Sequence, residues 1–213
     1  MIKEIIYGDI AAMLRNAEQN KRPAFNTVHG CNCHHAMGSG IAGQFAREFP
    51  QIPQADIAQT IKGDSSKLGT FSVAYVGRST VFNGYTQFDY GTDKPNVDYD
   101  AIKTLFTTLN AMRVPNLNIP MIGAGLAGGD WDKIQSIINE ATPDIDISVI
   151  AFDKDQDPLF NGVSPKCYSL EEVVSFKESV EKCYGSGDTT KSITLPVVGV
   201  LRLVATAIAG IEG

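Results

Sequence analysis

A glycine-rich stretch at residues 120–131 constrains this chain more than any other feature. It reads Pro-Met-Ile-Gly-Ala-Gly-Leu-Ala-Gly-Gly-Asp-Trp and includes the end of an apolar segment, residues 117–122, that predicts a strand. Asp130 then opens an amphipathic helix. Because glycines let backbone N–H groups turn toward a ligand and a helix N-terminus is partially positive, the stretch predicts a loop for an anion, in particular a diphosphate. A glycine-rich turn without any ligand is the alternative.

A second loop of the same kind follows the apolar residues 24–28, which also predict a strand. Residues 29–42 carry three more glycines, and Ile41, Phe45 and Phe49 then recur at intervals of four, which predicts a helix that Pro50 ends. Two loops that both leave the carboxyl ends of strands favour one extended phosphate-bearing ligand held from two sides.

Composition limits the class of protein and of partner. The 213 residues are 43% hydrophobic, which is enough for a sizeable core, and the formal net charge is -6. No cluster of Lys and Arg is present, so the sequence argues against duplex nucleic acid as a partner. The N-terminal residues lack the pattern of a signal peptide, so we expect a cytoplasmic protein with reduced cysteines. The cysteines are Cys31, Cys33, Cys167 and Cys183.

The order of the predicted elements indicates an α/β fold. Residues 4–7 form a first strand, after which Asp9 either caps a helix or faces a ligand. Residues 71–76 and 80–87 predict a hairpin, Asp98 caps a helix, and residues 146–152 form the last strand. Six strands alternate with helices, so we expect a mixed sheet that is covered on both faces.

The character of the sequence changes near residue 155, which predicts a first domain over residues 1–155 and a C-terminal extension over residues 156–213. The extension contains a predicted helix at 169–184, a Gly/Ser linker at 185–190 and an apolar run at 195–211. The run is shorter than the ~20 residues that a bilayer span needs and contains Arg202. We therefore expect no membrane span, and an apolar segment that packs on the domain or joins two subunits in a homo-oligomer.

The motifs together resemble the macro domain family, whose members bind ADP-ribose and its derivatives. The resemblance covers residues 1–155 and is carried by Gly8–Ile10, by Asn32 with residues 37–42, by residues 83–87 and by residues 122–131. The last motif is similar to the branch that includes ADP-ribose-1″-phosphate phosphatases. The resemblance implies a three-layer α/β/α fold with a mixed, mostly parallel six-stranded sheet and a ligand at the carboxyl ends of the strands.

The resemblance also implies roles for individual residues. Asp9 and the Ile10 backbone would bind adenine, Phe152 would stack on the base, and Asn32 would hold the distal ribose. The two glycine loops would wrap the diphosphate and the distal ribose with the residues Gly38, Ser39, Gly40, Ile41, Gly123, Gly125, Leu126, Ala127 and Gly128. No cofactor is implied.

Candidate catalytic groups are the titratable side chains near the loops. For a phosphatase we expect Asp130 to act as base or to orient water, and His34 or His35 to act as acid or nucleophile. The alternatives are a helix cap for Asp130 and a solvent-exposed pair for the histidines. For an enzyme that releases ADP-ribose from a conjugate, Asn32 would orient the ribose for attack by water.

Two alternatives remain open at this point. Some related hydrolases place a lysine in the first loop, where this chain has Ser39, and others an aspartate in the second, where it has Ala127. Both departures favour a module that binds ADP-ribose without turnover. The run from Cys31 to His35 also has zinc-ligand chemistry, but four donors within five residues are too crowded for a tetrahedral site, so we expect no metal.

Overall fold

A computed structural model describes residues 1–19 and 23–152, and these residues form one mixed sheet with helices on both faces. The sheet has the order β1-β6-β5-β2-β4-β3. All neighbouring strands are parallel except β3 and β4, which form an antiparallel hairpin. The strands are β1 (Ile2–Tyr7), β2 (Thr27–Asn32), β3 (Phe71–Val76), β4 (Ser79–Gln87), β5 (Leu117–Ile119) and β6 (Ile147–Ala151).

Two apolar clusters show which helices cover which face. The helices are α1 (Ile10–Gln19), α2 (Gly40–Glu48), α3 (Gln51–Gln59), α4 (Tyr99–Ala111) and α5 (Trp131–Ala141), and a 3₁₀ turn spans Ser65–Lys67. α4 and α5 pack on one face of the sheet, whereas α1, α2 and α3 pack on the other. Successive strand residues alternate between the faces, so Phe82 and Val149 join the first cluster and Val81 and Ile150 the second. The three-layer α/β/α prediction is confirmed.

The strand order explains how the two glycine loops meet. β2 lies between β4 and β5, and it runs parallel to both. The loop after β2 (residues 33–39, the first loop) and the loop after β5 (residues 120–129, the second loop) therefore leave the sheet at the same edge, from adjacent strands. Such an edge is where open α/β sheets bind their ligands.

Several predicted bounds are corrected by the structure. β2 begins three residues later than expected and continues to Asn32, because residues 27–32 pair with β4 despite their polar side chains. β5 ends at Ile119, where Pro120 offers no N–H to continue a strand. The sequence also predicts a helix over residues 53–62, whereas α3 begins at Gln51, ends at Gln59 and accommodates Pro53 in its first turn.

The two predicted aspartate caps are confirmed, whereas the predictions beyond residue 155 lie outside the described residues. The caps at Asp9 and Asp98 are present, since each carboxylate accepts a backbone N–H from the first turn of its helix. Cys31 and Cys33 are buried free thiols. None of the helices in residues 1–19 and 23–152 is long and apolar enough to span a membrane. Cys167, Cys183 and the predicted elements beyond residue 155 fall outside the described residues, and the domain boundary stays a prediction.

Candidate functional site

The two glycine loops face one crevice of about 490 Å³. The first loop and the start of α2 form one wall, and the second loop forms another. Nine of the predicted ligand-binding residues line it: Asn32, Gly38, Ser39, Gly40, Ile41, Gly123, Gly125, Leu126 and Ala127. A volume of this size is typical of sites for small molecules.

Asn32 shapes the first loop from its start at the end of β2. Its Oδ1 accepts the N–H groups of His34 (2.9 Å) and Ala36 (3.2 Å), and its Nδ2 donates to the carbonyl oxygen of Ala36 (2.7 Å). An asparagine amide has two N–H donors, so one more can reach a ligand in the crevice. Asn32 therefore holds the loop and still offers a donor.

The N-terminus of α2 presents backbone N–H groups to the crevice. Gly40, Ile41 and Ala42 line it, and the first amides of a helix have no partner within the helix. Ser39 is the N-cap, but its side chain makes no capping hydrogen bond. The first N–H groups of α2 therefore have no capping side chain, and such a helix end attracts an anion.

The second loop is held in shape by its own backbone and by the segment before α4. Gly129 N donates to Gly123 O (2.9 Å), and Ala127 O accepts from Asn96 N (2.9 Å). Gly123 has a φ of +75°, and a Cβ on Gly129 would lie 2.7 Å from Gly123 O, so both positions require glycine. By contrast, a Cβ on Gly125 would meet no atom within 4 Å, which places open space beside this residue.

The N-terminus of α5 carries Asp130, for which a catalytic role and a helix cap are the two alternatives. Asp130 caps α5 by accepting from the N–H groups of Asp132 (3.0 Å) and Lys133 (3.4 Å), and it does not line the crevice. The cap alternative for Asp130 is confirmed. Gly128 also lies outside the lining, since its turn faces Pro95. Among the described helices, α2 is therefore the one that directs a free N-terminus at the crevice.

The two histidines of the first loop lie away from the crevice. The His34 ring packs edge-on against Phe88 and Tyr90, and its Nε2 lies 3.2 Å from Asp89 Oδ1. His35 has a φ of +57°, which turns its ring to the rear of the loop, where Nε2 lies 2.9 Å from Thr60 Oγ1. Neither residue lines the crevice, so the structure does not place the two rings at the proposed ligand site.

Behind the first loop lies a buried ionic cluster that the sequence did not reveal. The carboxylate of Asp56 (1% exposed) accepts from Lys67 Nζ (3.0 Å) and from the hydroxyl of Tyr85 (2.7 Å). Lys67 also donates to the carbonyl oxygen of Cys33 (3.3 Å), at the start of the first loop. We call Asp56, Lys67, Tyr85, Thr60 and His35 the rear cluster. No local pattern marks Asp56 or Lys67, because helices and turns usually expose such residues.

Burial changes the acidity of several groups near the rear cluster. Burial lowers the pKa of His29 to about 4, although its hydrogen bond to Asn83 opposes the shift. Burial also lowers the pKa of His35, against the attraction of Asp56, and raises the pKa values of Cys31 and Tyr85. At neutral pH these histidines are therefore uncharged and these thiol and phenol groups protonated.

The Cys and His side chains of the first loop point to different neighbours. Cys31 Sγ lies 3.7 Å from His29 Nδ1, and Cys33 Sγ lies 3.7 Å from Gln87 O, whereas the two following histidines face Asp89 and Thr60. Within the described residues, no group of three or more His, Cys, Asp or Glu side chains is placed to hold a metal ion.

The residues expected to bind a base lie beside the crevice and not in its lining. Asp9 lies between β1 and α1, Ile10 begins α1, and Phe152 (43% exposed) follows β6, the neighbour of β1 in the sheet. Gly8 N donates to Ala151 O (3.0 Å), which ties the two strand ends together. These residues therefore share the sheet edge of the two loops.

A third segment lines the crevice and was not predicted to do so. Gln87 ends β4, the strand on the other side of β2, and Tyr90, Gly91 and Thr92 follow it. Tyr90 is 63% exposed and is the one titratable side chain among the described residues that line the crevice. The parallel pairing of β2 with β4 was the missing information, because it brings this segment to the same edge.

The comparisons with known proteins agree with this geometry. The sequence model named Macro domain matches residues 28–138, which contain both glycine loops. The chain belongs to the macro domain family.

Two relatives and one solved structure illustrate the relationship. An uncharacterized 17.5 kDa protein of the tk-vs intergenic region of Enterobacteria phage T4 is 38% identical over 168 residues, which are 75% of this chain and 99% of the relative. The DNA ADP-ribosyl glycohydrolase of Thermus aquaticus is 26% identical over 163 residues, 72% of this chain but 44% of that enzyme. This chain therefore matches less than half the length of the second relative.

The solved macrodomain of Thermus aquaticus DarG has the same fold. It superposes with a TM-score of 0.52 at 22% identity, and the match covers 70% of this chain and 97% of that one.

Proposed function

We propose that this protein binds ADP-ribose in the crevice between its two glycine loops and hydrolyses a conjugate of ADP-ribose. The observation that carries the proposal is the free N-terminus of α2, which opens on the crevice opposite the second loop. Gly125, Leu126 and Ala127 donate their N–H groups to no partner within the described residues. Two sets of free backbone amides that face a crevice of about 490 Å³ suit a diphosphate.

The remaining parts of the ligand follow from the same placement. In this proposal the adenine lies beside Asp9, Ile10 and Phe152, and the distal ribose lies near the spare N–H of Asn32. The ribose carbon that carries the conjugated group then faces Gln87, at the end of β4, and Tyr90, in the segment after it.

The reaction that we propose is hydrolysis at the ribose carbon. Among the described residues that line the crevice, none has a carboxylate, imidazole, thiol or amine side chain. A water molecule attacks the anomeric carbon through an oxocarbenium-like transition state, the bond to the conjugated group breaks, and a proton from the water passes to the departing group. The chain contributes orientation through Asn32 and the glycine loops, which is a substantial part of many rate enhancements. The similarity to a DNA ADP-ribosyl glycohydrolase supports this reaction class.

The phosphatase reaction on ADP-ribose-1″-phosphate is the second candidate. The sequence of the second loop favours it, because that loop is similar to the phosphatase branch. The position of its expected catalytic groups does not, since Asp130, His34 and His35 lie outside the crevice lining.

Calorimetry with ADP-ribose tests the binding site. We expect one molecule to bind per chain, and Gly125→Val to weaken binding at least about tenfold, because its side chain enters space that the diphosphate needs. Ala111→Val adds similar bulk on an exposed residue of α4 and should leave binding unchanged. Absence of heat with wild type, or equal binding by Gly125→Val, contradicts the proposed site.

Turnover assays separate the two reactions. Full-length protein is incubated with ADP-ribosylated DNA, with ADP-ribosylated protein and with ADP-ribose-1″-phosphate. Release of ADP-ribose from either conjugate supports the first proposal. Release of phosphate alone supports the second, and binding without turnover reduces the function to recognition.

A further inference from the structure

One side chain on α2 ties the phosphate end of the site to the expected base end. Gln44 lies one helical turn after Gly40, which lines the crevice. Its Nε2 lies 3.0 Å from Asp9 Oδ1 and 2.9 Å from Asp9 Oδ2, although 35 residues separate the two in sequence. Gln44 thus donates hydrogen bonds to both carboxylate oxygens of Asp9.

The other contacts of Asp9 leave one hydrogen-bond acceptor and one neighbouring donor available to a ligand. Oδ1 also accepts the N–H groups of Ala11 (2.9 Å) and Ala12 (3.1 Å), so this oxygen is fully used as the cap of α1. Among the described residues, Oδ2 has Gln44 as its hydrogen-bond partner, and the N–H of Ile10 donates to none. One acceptor and one donor therefore stand side by side at adjacent residues.

We propose that Gln44 is a positioning residue for purine recognition: it fixes the Asp9 carboxylate so that Oδ2 accepts from the exocyclic amino group of a 6-aminopurine. The inference rests on the proposed ADP-ribose site. The free pair suits the edge of adenine, whose amino group donates while the neighbouring ring nitrogen accepts from Ile10 N–H. In a 6-oxopurine the exocyclic group is a carbonyl acceptor and the neighbouring ring nitrogen is an N–H donor. Its carbonyl oxygen would therefore face the Asp9 carboxylate without a proton between them.

Nucleotides that differ at this one position test the inference. Full-length protein is titrated with ADP-ribose and with its hypoxanthine analogue, inosine diphosphate ribose. We expect wild type to prefer ADP-ribose by about tenfold or more, since the wrong base leaves buried polar groups unpaired. Gln44→Leu keeps the apolar bulk but frees the carboxylate, and it should reduce this preference to less than about threefold.

The control is another contact between the same two helices. Glu48 lies one turn further along α2 and pairs with Arg15 of α1, away from Asp9. Glu48→Ala loosens the helix pair without touching the carboxylate, so it should keep the wild-type preference. A change in preference shared by both variants would show a general effect of helix packing and would overturn the inference.

Gln44→Glu gives a second readout that loss of packing cannot mimic. Two carboxyl groups about 3 Å apart do not both ionise readily, so a protonated Glu at position 44 donates to Asp9 at low pH, as the glutamine does. As pH rises, both groups become charged and separate, and affinity for ADP-ribose should fall about tenfold between pH 5 and pH 8. The other charged side chains of this helix pair are Arg15 and Glu18 on α1 and Arg47 and Glu48 on α2.

The outcomes distinguish failure of the proposed ADP-ribose site from failure of the role proposed for Gln44. If wild type binds neither nucleotide, the ADP-ribose site and the role of Gln44 both fail. If wild type binds ADP-ribose but Gln44→Leu keeps the base preference, or Gln44→Glu follows the wild-type pH profile, the role of Gln44 alone is wrong.

Discussion

The two sides of the first loop use opposite chemistry. On the crevice side, glycines and small residues expose backbone N–H groups, and Tyr90 is the one titratable side chain among the described lining residues. On the rear side, a buried ammonium group and a buried phenol both donate to one buried carboxylate. A single segment of seven residues, 33–39, separates the two.

The difference indicates that the two sides of the first loop have separate roles. Ionisable groups that are almost fully buried need partners of opposite charge and hydrogen bonds. Such pairs fix one arrangement of the chain around them. Lys67 donates to Cys33 O and His35 bonds Thr60, so the rear cluster holds the loop from behind. The crevice side is thereby left to the backbone, which binds an anion through dipoles that do not titrate.

Removing the cation of the rear cluster should have the largest effect on stability. Lys67→Met leaves the carboxylate of Asp56 buried without its partner, and we expect a loss of about 3–5 kcal/mol in the free energy of unfolding. Urea denaturation measures it. The double variant Asp56→Asn/Lys67→Met removes both charges and should recover part of the loss.

The matched control is an exposed ion pair. Lys103 lies 3.0 Å from Glu140, and both side chains are more than half exposed. Lys103→Met should cost less than about 1 kcal/mol. If Lys67→Met costs no more than Lys103→Met, the rear cluster does not hold the loop and the comparison fails.

The buried His29 makes the rear side sensitive to acid. Its Nε2 lies 2.8 Å from Asn83 Oδ1, and burial lowers its pKa to about 4, whereas an unfolded histidine has a pKa of about 6.5. Between these values the unfolded chain binds a proton that the folded chain does not, so stability falls as pH drops from 6.5 to 4. The full loss is about 3 kcal/mol.

A variant isolates this contribution from that of the acidic residues. His29→Gln keeps an amide N–H for Asn83 but cannot be protonated, so its free energy of unfolding should fall less steeply over the same pH range. Urea midpoints at pH 7 and pH 4.5 give the comparison. Equal slopes in wild type and variant would show that His29 does not enter the folded state neutral.

The fold was predictable because its signals are local. Hydrophobic spacing and caps located five helices and six strands, and the Asp98 cap and the hairpin at residues 71–87 were confirmed. The bounds of β2 were wrong, because pairing with β4 on one side and β5 on the other overrides the polar character of residues 29–32. Strand order needs contacts far apart in sequence, and no local pattern contains them.

The candidate site was predictable where backbone geometry alone defines it. Glycine spacing located both loops, and the structure places them on one crevice. Side-chain directions were not predictable: the φ of +57° at His35 turns its ring to the rear. The rear cluster was missed because Asp56, Lys67 and Tyr85 come from three elements that only the tertiary fold unites.

The smallest expected effect concerns Asp130, at the end of the second loop. As an N-cap that accepts two backbone N–H groups, it should contribute about 1 kcal/mol, which Asp130→Ala removes and Asp130→Asn largely keeps. Neither variant should change the affinity for ADP-ribose, because the carboxylate does not line the crevice. Thermal unfolding and calorimetry of the two variants measure both properties. If Asp130→Asn keeps the stability but abolishes turnover, the carboxylate takes part in the chemistry, and the crevice side depends on an ionisable group after all.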